Sequence, residues 1–378
     1  MLYNEFKGKK ISALGMGGMR FPTIGEDYNN IDEAATQEMF DYAIDNGINY
    51  FDTAWGYHGG NSEAAVGRLL KKYPRESFYL ASKFPGYDVN NMSRVKEIFE
   101  EQLKRCQVEY FDFYLFHNVC EANIDMYLDP KYGVREYLLE QKKAGRIKHL
   151  RFSTHAQIEN VKRFLDAYGS DMEFCQIQLN WLDWKLQDAK AKVELLQEIN
   201  MPIFIMEPVR GGKLVNLDEE YVAQLNQVRP DISTVEWCFR YAQSFPTAVV
   251  TLSGMSNMEQ LKDNLRIFSE DKPLNEEEKT KLLAIADNMM SKSSLPCTAC
   301  RYCTSHCPLE LDIPKLIDLY NESIFTEKSF LPGMYVNSLP EKKRPSACLG
   351  CKACEAVCPQ NIKISEMMKH FDAILNKK

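Results

Sequence analysis

Short apolar runs rich in β-branched and aromatic residues recur along the first 255 residues, with longer segments of helical periodicity between them. These runs predict eight strands, at residues 11–16, 48–52, 78–83, 111–117, 149–154, 174–180, 203–207 and 248–253. Apolar positions spaced three to four apart predict helices at residues 31–46, 61–72, 94–106, 134–144, 157–168, 186–199, 233–243 and 258–268. Strands that alternate with helices in this way indicate parallel βαβ units.

Two α/β architectures fit such an alternation, a closed (β/α)8 TIM barrel and an open doubly wound sheet. Eight strands within the first 270 residues favour the barrel. No G-x-G-x-x-G opens a helix after a strand, so the usual dinucleotide fingerprint of the open sheet is absent from the sequence. The GMGG segment at residues 15–18 is too short for that fingerprint and is interpreted as a turn at a strand end.

The pattern changes after the last strand. Residues 275–290 predict one more helix, which is acidic, and residues 291–296 (SKSSLP) have the composition of a linker. We therefore predict a barrel domain over residues 1–290 and a second domain over residues 291–378. Within the second domain, residues 314–325 have an apolar helical pattern.

Cysteines define the chemistry of the second domain. Two runs of the form C-x2-C-x2-C-x3-C-P begin at Cys297 and Cys348, a spacing typical of bacterial two-cluster [4Fe–4S] proteins. In that motif the fourth cysteine ligates the other cluster. One predicted cluster therefore uses Cys297, Cys300, Cys303 and Cys358, and the second uses Cys348, Cys351, Cys354 and Cys307. Zinc is the alternative metal, but zinc sites usually take two CxxC pairs per ion.

The remaining composition limits location and partners. The other four cysteines lie in apolar stretches and are expected to be buried: Cys106, Cys120, Cys175 and Cys238. A net charge of −7 without a basic stripe argues against nucleic-acid binding. No apolar run approaches the roughly 20 residues that span a bilayer. The first ten residues lack a signal segment, so we predict a cytoplasmic protein.

Polar residues mark the ends of three predicted strands. Asp52, Lys83 and His117 occupy these ends, and Tyr57 follows Asp52 by five residues. In a TIM barrel the carboxyl ends of the strands meet at the catalytic face. An ammonium group lowers the pKa of a neighbouring tyrosine, a carboxylate fixes the lysine, and a histidine can orient a carbonyl oxygen. The set therefore predicts Tyr57 as a general acid for a carbonyl that accepts hydride.

These stretches resemble the aldo/keto reductase family over about residues 1–270. The resemblance rests on FDTA at 51–54 with Tyr57, ASK at 81–83, LFH at 115–117, FST at 152–154, Gln176, EPVRGG at 207–212 and GMSNMEQLKDN at 254–264. It implies a catalytic tetrad of Asp52, Tyr57, Lys83 and His117. It also implies hydride transfer between NAD(P)H and a small carbonyl or alcohol.

The same resemblance implies a set of nicotinamide-cofactor contacts. Ser153, Thr154 and Gln176 stand where the family binds the nicotinamide carboxamide, and the stretch ending at Asn264 stands at the adenosine-phosphate end. The other expected contacts are Glu207, Gly254 and Gln260. Some family members carry cations in place of Gly254 and Gln260 and an aromatic residue in place of Met206, so the choice between NADP(H) and NAD(H) stays open.

About the last 85 residues resemble the α-helical two-cluster ferredoxin module of respiratory and pyrimidine-reducing enzymes. We therefore expect an aldo/keto reductase-type oxidoreductase whose two clusters transfer electrons. One alternative is an electron-transfer component whose barrel binds a flavin or docks a redox partner protein. Another is a regulatory redox sensor, which the intact tetrad argues against. The substrate pocket is expected to include Trp55, His58, Phe84 and Trp181.

Overall fold

Eight parallel strands close into a barrel, as the sequence predicts. They are β3 Leu14–Gly17, β4 Tyr50–Asp52, β5 Tyr79–Phe84, β6 Phe111–Val119, β7 Ile147–Thr154, β8 Cys175–Gln178, β9 Ile203–Met206 and β10 Ala248–Ser253. Around the barrel they follow one another in chain order, and β10 pairs with β3 to close it. The (β/α)8 interpretation is confirmed, and the open-sheet alternative is excluded.

The N-terminal segment differs from the prediction of one strand at residues 11–16. It forms an antiparallel hairpin, β1 (Tyr3–Phe6) with β2 (Lys9–Ser12), before β3 begins. The hairpin turns through Lys7 and Gly8, both with positive φ, as a two-residue hairpin turn requires. Phe6 packs its ring against Phe113, Phe174 and Phe204, which lie near the amino ends of the barrel strands. The hairpin therefore covers the end of the barrel opposite the predicted catalytic face.

Helices surround the strands. In this part of the chain they are α1 Glu33–Asp45, α2 Ser62–Leu70, α3 Val95–Cys106, α4 Ile124–Leu128, α5 Val134–Lys143, α6 Ile158–Tyr168, α7 Asp183–Leu186, α8 Ala189–Glu198, α9 Glu219–Asn226, α10 Thr234–Gln243, α11 Met258–Ile267 and α12 Glu276–Ser293. Side-chain caps fix several starts. Asp32 accepts a hydrogen bond from the Ala35 amide at 3.0 Å, and Asn257 accepts one from the Gln260 amide at 2.9 Å.

This computed structural model describes residues 1–293, 295–297, 300–326 and 330–376. By its internal contacts the chain divides into two units, Met1–Lys279 and Thr280–Lys378. The division precedes the boundary that we predicted after residue 290, which stays a prediction. Helix α12 continues through residues 291–293, the first half of the predicted linker, because no Gly or Pro ends the helix before that point. Ser294, also in that linker, lies outside the described residues.

The second unit is mainly helical. After α12 it contains α13 Tyr302–Ser305, α14 Ile313–Thr326, α15 Leu331–Ser338, α16 Ala353–Ala356 and α17 Ile364–Leu375. The helix predicted at residues 314–325 is confirmed as α14. Apolar side chains of α14 and α17, among them Leu316, Ile317, Met368 and Phe371, form the core of this unit together with residues that flank the cysteines.

Two further expectations can be compared with the structure. The four scattered cysteines are buried, which confirms their interpretation as packing residues. Among the helices in the described part of the chain, none is both long enough and apolar enough to cross a bilayer.

Candidate active site and cluster cavities

The four tetrad candidates meet at the carboxyl ends of three neighbouring strands. Asp52 is the last residue of β4, Lys83 is the next-to-last residue of β5, and His117 lies in β6. Tyr57 begins a short 3-10 turn, Tyr57–Gly60, in the loop that follows β4. Parallel pairing of β4 with β5 and of β5 with β6 brings these ends to one edge of the barrel.

Lys83 is the centre of this group. Its Nζ donates to Asp52 Oδ1 at 2.5 Å, to the Thr53 carbonyl at 2.8 Å and to the Tyr57 hydroxyl at 3.4 Å. The Lys83 side chain has no exposed surface. All three ammonium protons therefore have partners, and the phenol oxygen of Tyr57 faces a positive charge.

Burial governs the protonation of the tetrad. It raises the pKa of Tyr57 well above its ordinary value, and the Asp52 and Glu207 carboxylates add to the rise. This direction is opposite to the lowered Tyr57 pKa that we expected from a neighbouring ammonium group. Burial also lowers the pKa of Lys83, and it lowers the pKa of His117 well below the usual range. Tyr57 is thus protonated and His117 neutral near pH 7, which are the states that a proton donor and a carbonyl-orienting imidazole need.

His58, expected in the substrate pocket, has a different place. Its ring is fully buried and stacked between Phe21 and Tyr28. Nε2 accepts from the Phe21 amide at 3.1 Å, and Nδ1 lies 2.5 Å from the Tyr28 carbonyl, so the ring is neutral with its proton on Nδ1. The His58 backbone has a φ of 52°, in the left-handed region. His58 therefore attaches the turn that contains Tyr57 to the loop that follows β3.

The other expected pocket residues are mostly packing residues. Phe84 and Trp181 are fully buried, and Trp181 Nε1 donates to Cys238 Sγ at 3.4 Å. Trp55 is half-buried beneath the Arg105 guanidinium, which lies 3.8 Å from its ring centre. Tyr87, which we did not select from the sequence, has its ring 5.2 Å from that of His117 and is 38% exposed. Its position three residues after β5 was the available signal.

An open groove lies along the loops that follow β9 and β10. Four of the predicted cofactor contacts line it: Glu207, Gly254, Gln260 and Asn264. Gln260 also has a structural role, because its Oε1 accepts from the Ser256 amide at 2.8 Å and completes the cap of α11. The groove, which ends at the start of a ten-residue helix, fits a phosphate-bearing cofactor.

The remaining predicted contacts lie on the adjacent strands β7 and β8. Ser153 pairs in register with Gln176, and the Gln176 Oε1 is buried without a hydrogen-bond partner in the described chain. An unpaired buried acceptor of this kind fits the amide N–H of a carboxamide. Thr154 is less available, because its hydroxyl donates to the Val119 carbonyl at 2.7 Å and accepts from the Ala156 amide at 3.0 Å.

Arg20 is a groove residue that sequence reasoning missed. Its side chain lies against Gly254, where an added methyl group would come within 3.0–3.1 Å of the Arg20 carbons. Burial raises the pKa of the Glu207 carboxyl, and the Arg20 guanidinium offsets part of that rise. The groove therefore contains a cation, although Gly254 and Gln260 themselves carry none. A positive residue two positions after the glycine-rich segment at 15–18, most of which lies in β3, was the signal in the sequence.

Two cavities in the second unit separate the eight cysteines into the two predicted sets. One cavity is lined by Cys297, Cys300, Cys303 and Cys358. The other is lined by Cys307, Cys348, Cys351 and Cys354. Each cavity thus has three cysteines of one motif and the fourth cysteine of the other, and four thiols around such a space fit a [4Fe–4S] cluster. Thr298 and Ala299, inside the first motif, lie outside the described residues.

Comparison with known proteins identifies both parts of the chain. The model of the aldo/keto reductase family matches residues 13–287, which is more than half of the chain. The chain belongs to the aldo/keto reductase family. A 4Fe-4S dicluster domain matches residues 296–362. The protein is therefore an aldo/keto reductase-family oxidoreductase with a C-terminal iron–sulfur domain.

Several relatives resemble the barrel of this aldo/keto reductase. The uncharacterized oxidoreductase YqkF of Bacillus subtilis is 26% identical over 287 residues, 68% of this chain and 87% of the relative. The NADH-specific methylglyoxal reductase of Escherichia coli is 26% identical over 262 residues, 58% of this chain and 78% of the relative. A soybean probable aldo-keto reductase 1 is 27% identical over 214 residues, and the match spans 58% of its length.

Solved structures support the same fold. The holo form of aldo-keto reductase AKR11C1 from Bacillus halodurans superposes with a TM-score of 0.61 at 25% identity. The superposition covers 74% of this chain and 93% of that protein.

Proposed function

We propose that this protein is an NAD(P)H-dependent oxidoreductase that transfers hydride between a nicotinamide and a small carbonyl or alcohol, and that two [4Fe–4S] clusters in its second unit transfer electrons. The observation that carries the proposal is the position of Lys83 Nζ between Asp52, at 2.5 Å, and the Tyr57 hydroxyl, at 3.4 Å. A protein that only bound nicotinamide would not need a tyrosine held against a buried ammonium group.

In this mechanism a bound nicotinamide supplies the hydride, and the chain positions and protonates the substrate. Tyr57 donates its phenolic proton to the carbonyl oxygen. Lys83 stabilises the phenolate that remains, while Asp52 holds Lys83 in place. Neutral His117 orients the carbonyl oxygen toward Tyr57. Alcohol oxidation follows the same path in reverse, with the phenolate of Tyr57 as the base.

The residues along the groove and on β7 and β8 support the proposal that a dinucleotide binds there. Ser153 and Gln176 would bind the carboxamide, and the groove lined by Gly254 and Asn264 would hold the phosphates. One family relative is named an NADH-specific enzyme, so membership alone does not set the choice of cofactor. Arg20 is the cation on which we expect that choice to depend.

We predict that NADPH binds better than NADH by no more than about 10²-fold, because one charge-assisted contact to the 2′-phosphate is available where some members have two. Replacing Arg20 by Gln should bring the ratio of the two dissociation constants close to one. Titration of both cofactors into anaerobic protein measures the ratio. Arg163→Gln, which removes an exposed arginine paired with Asp125, is the control.

Two outcomes would contradict this prediction. A preference for NADPH above about 10³-fold that survives in Arg20→Gln would mean that other cations hold the phosphate. An equal loss of affinity for both cofactors would place Arg20 at the pyrophosphate and remove it from discrimination.

The clusters would exchange one electron at a time, whereas a nicotinamide releases two as a hydride. No tetrad residue converts one form into the other, so a bound flavin or a separate redox partner protein has to link them. Iron–sulfur clusters and buried free thiols suit a reducing compartment, and we keep the cytoplasm as the proposed location.

The test is anaerobic mixing of flavin-free protein with reduced nicotinamide, first alone and then with a small aldehyde. We predict that cluster absorbance at visible wavelengths stays unchanged without aldehyde, and that nicotinamide is oxidised when aldehyde is added. Dithionite, a one-electron donor, should bleach the clusters at least partly. Protein whose flavin content is zero by mass spectrometry is required, because trace flavin would produce bleaching.

The electron-transfer alternative gives the opposite pattern. Rapid bleaching by NADPH in flavin-free protein, with no turnover of any aldehyde, would mean that the barrel serves the clusters and that carbonyl reduction is not its function. Adding free FMN tests the intermediate case, in which the barrel binds a flavin: bleaching should then depend on the flavin concentration.

A further inference from the structure

A fully buried arginine lies inside the barrel, where strand side chains are otherwise mostly apolar. Arg151, in β7, has no exposed surface. Its guanidinium carbon lies 4.4 Å from the ring centre of Phe174 and between 5.2 and 5.6 Å from those of three further aromatic residues, Tyr50, Phe113 and Phe204. The aromatic faces offset part of the cost of removing this charge from water.

The arginine also reaches the candidate active site. Arg151 Nη2 lies 3.3 Å from Asp52 Oδ2, while Lys83 Nζ lies 2.5 Å from Asp52 Oδ1. One buried carboxylate therefore has two buried cations, and the three groups together carry one net positive charge. Without Arg151, the pair of Asp52 and Lys83 would have no net charge.

We propose that Arg151 is a positioning residue for the chemistry at Tyr57: by pairing with one oxygen of Asp52, it leaves the Lys83 ammonium incompletely neutralised beside the Tyr57 hydroxyl. The inference rests on the proposed function. When Tyr57 gives its proton to the carbonyl oxygen, hydride reaches the carbonyl carbon and an alcohol forms. A phenolate remains at Tyr57 until a solvent proton restores it. The extra positive charge stabilises that phenolate.

A purely structural role would not require a guanidinium. An apolar side chain of similar length would fill the same space against the aromatic rings without burying a charge. Within the described residues, moreover, Arg151 Nε and Nη1 have no hydrogen-bond partner. The charge is therefore present despite an incomplete set of contacts, and it forms an ion pair with the carboxylate that holds Lys83.

Several ionisable groups affect the pKa values of Tyr57 and Arg151, which lie on either side of Asp52 and Lys83. Those that raise the pKa of Tyr57, after burial, are Asp52, Glu207, Tyr28 and Tyr87. Those facing Arg151 are Tyr50, Asp52 and Cys175. Burial is the main cause of the lowered pKa of Lys83, and Arg151 contributes to it. The negative charges of Glu207 and Asp52 both destabilise the phenolate of Tyr57. A second cation near Asp52 would offset part of that destabilisation.

The test compares the pH dependence of kcat/KM for carbonyl reduction in wild type and Arg151→Met. Reduction needs protonated Tyr57, so activity falls as the pH rises through the pKa of Tyr57. Loss of the cation destabilises the phenolate, so this alkaline limb should move up by about one pH unit or more. Since Tyr57 also becomes a weaker acid, kcat at pH 7 should fall about tenfold, while KM for nicotinamide stays within about twofold.

Arg240→Met is the matched control. Arg240 is also a buried arginine paired with a carboxylate, that of Glu236, which keeps Arg266 as a second cation after the substitution. This control should leave the alkaline limb where it is in wild type. Arg151→Lys should place the limb between wild type and Arg151→Met, because it restores the charge but not the reach of the guanidinium.

A reduced kcat in Arg151→Met with an unmoved alkaline limb would assign Arg151 a structural role and overturn the proposal. So would a limb that moves to lower pH. If Arg151→Met does not fold, Arg151→Gln takes its place in the same comparison. Folding of each variant is checked by circular dichroism and by wild-type iron content.

A second measurement does not depend on turnover. Protein labelled with 3-fluorotyrosine gives a 19F resonance for residue 57, assigned by its loss in Tyr57→Phe. Its titration should shift to higher pH in Arg151→Met by about one unit. Identical titrations would overturn the proposal even in active enzyme. A shifted titration in protein that reduces no carbonyl would instead support the inference about Arg151 while the proposed function fails.

Discussion

Replacing Tyr57 by Phe is expected to reduce the rate of carbonyl reduction about 10²-fold or more, the usual contribution of a general acid. The substitution keeps the aromatic ring and removes only the hydroxyl, which lies 3.4 Å from Lys83 Nζ. The carbonyl oxygen would then have to take its proton from water, while Lys83 and Asp52 remain paired. Affinity for the reduced nicotinamide should change little, because the expected cofactor contacts lie on β7, β8 and the groove.

The measurement is kcat and KM under anaerobic conditions, with nicotinamide affinity determined separately by fluorescence titration. Tyr137→Phe is a suitable control, since its hydroxyl contacts Glu100 on the exposed outer side of the barrel, at 3.4 Å. That variant should behave as wild type. Unchanged turnover in Tyr57→Phe would mean that the tetrad is not used, and it would favour an electron-transfer or sensor role for the barrel.

The sequence predicts the barrel and the positions of the four tetrad candidates well for a physical reason. Strands buried on both faces appear as continuous apolar runs, so a charged residue such as Lys83 at the end of a run is conspicuous. Because all barrel strands are parallel, their carboxyl ends lie at one edge, and this follows from the strand order alone. Asp52 and His117 followed from the same rule.

What the sequence did not reveal depends on contacts between distant segments. As an aromatic side chain near a strand end, His58 is expected in the substrate pocket, yet its ring nitrogens contact the main chain at Phe21 and Tyr28. The spacing of apolar residues along the chain does not show which loops contact each other in the folded barrel. Arg151 was not predicted for a different reason. A single charged residue within an apolar run is typical of a side chain on the strand surface. Only the closed barrel shows that this side chain points inward, to Asp52.

Local hydrogen bonds also changed the interpretation of two cofactor candidates. Gln260 caps its own helix, and the Thr154 hydroxyl is engaged with the Val119 carbonyl. A family resemblance identifies the position of a residue but not whether its polar atoms are free. Gln176, whose Oε1 lacks a partner in the described chain, is for that reason the strongest of the carboxamide contacts that we propose.

Loss of Cys358 is expected to remove one whole cluster and to leave the other. Two [4Fe–4S] clusters correspond to about eight iron atoms per chain, and Cys358→Ala should retain about four. The cluster lost should be the one whose other three cysteines belong to the first motif, because Cys358 lines the cavity of Cys297, Cys300 and Cys303. Cys238→Ala, which alters a buried thiol in the barrel, controls for general effects of losing a cysteine.

Double variants decide which cluster remains. If the ligand sets are crossed, adding Cys300→Ala to Cys358→Ala removes nothing further, since both changes affect the same cluster, and about four irons persist. Adding Cys351→Ala instead removes the second cluster as well, and the iron content falls close to zero. The mirror experiment starts from Cys307→Ala, where Cys351→Ala should be silent and Cys300→Ala should remove the remaining iron. The reverse pattern in both series, measured by iron assay and by electron paramagnetic resonance after dithionite reduction, would mean that each motif binds its own cluster. In that case the cavity in which Cys358 meets the first motif would not be the site at which iron is held.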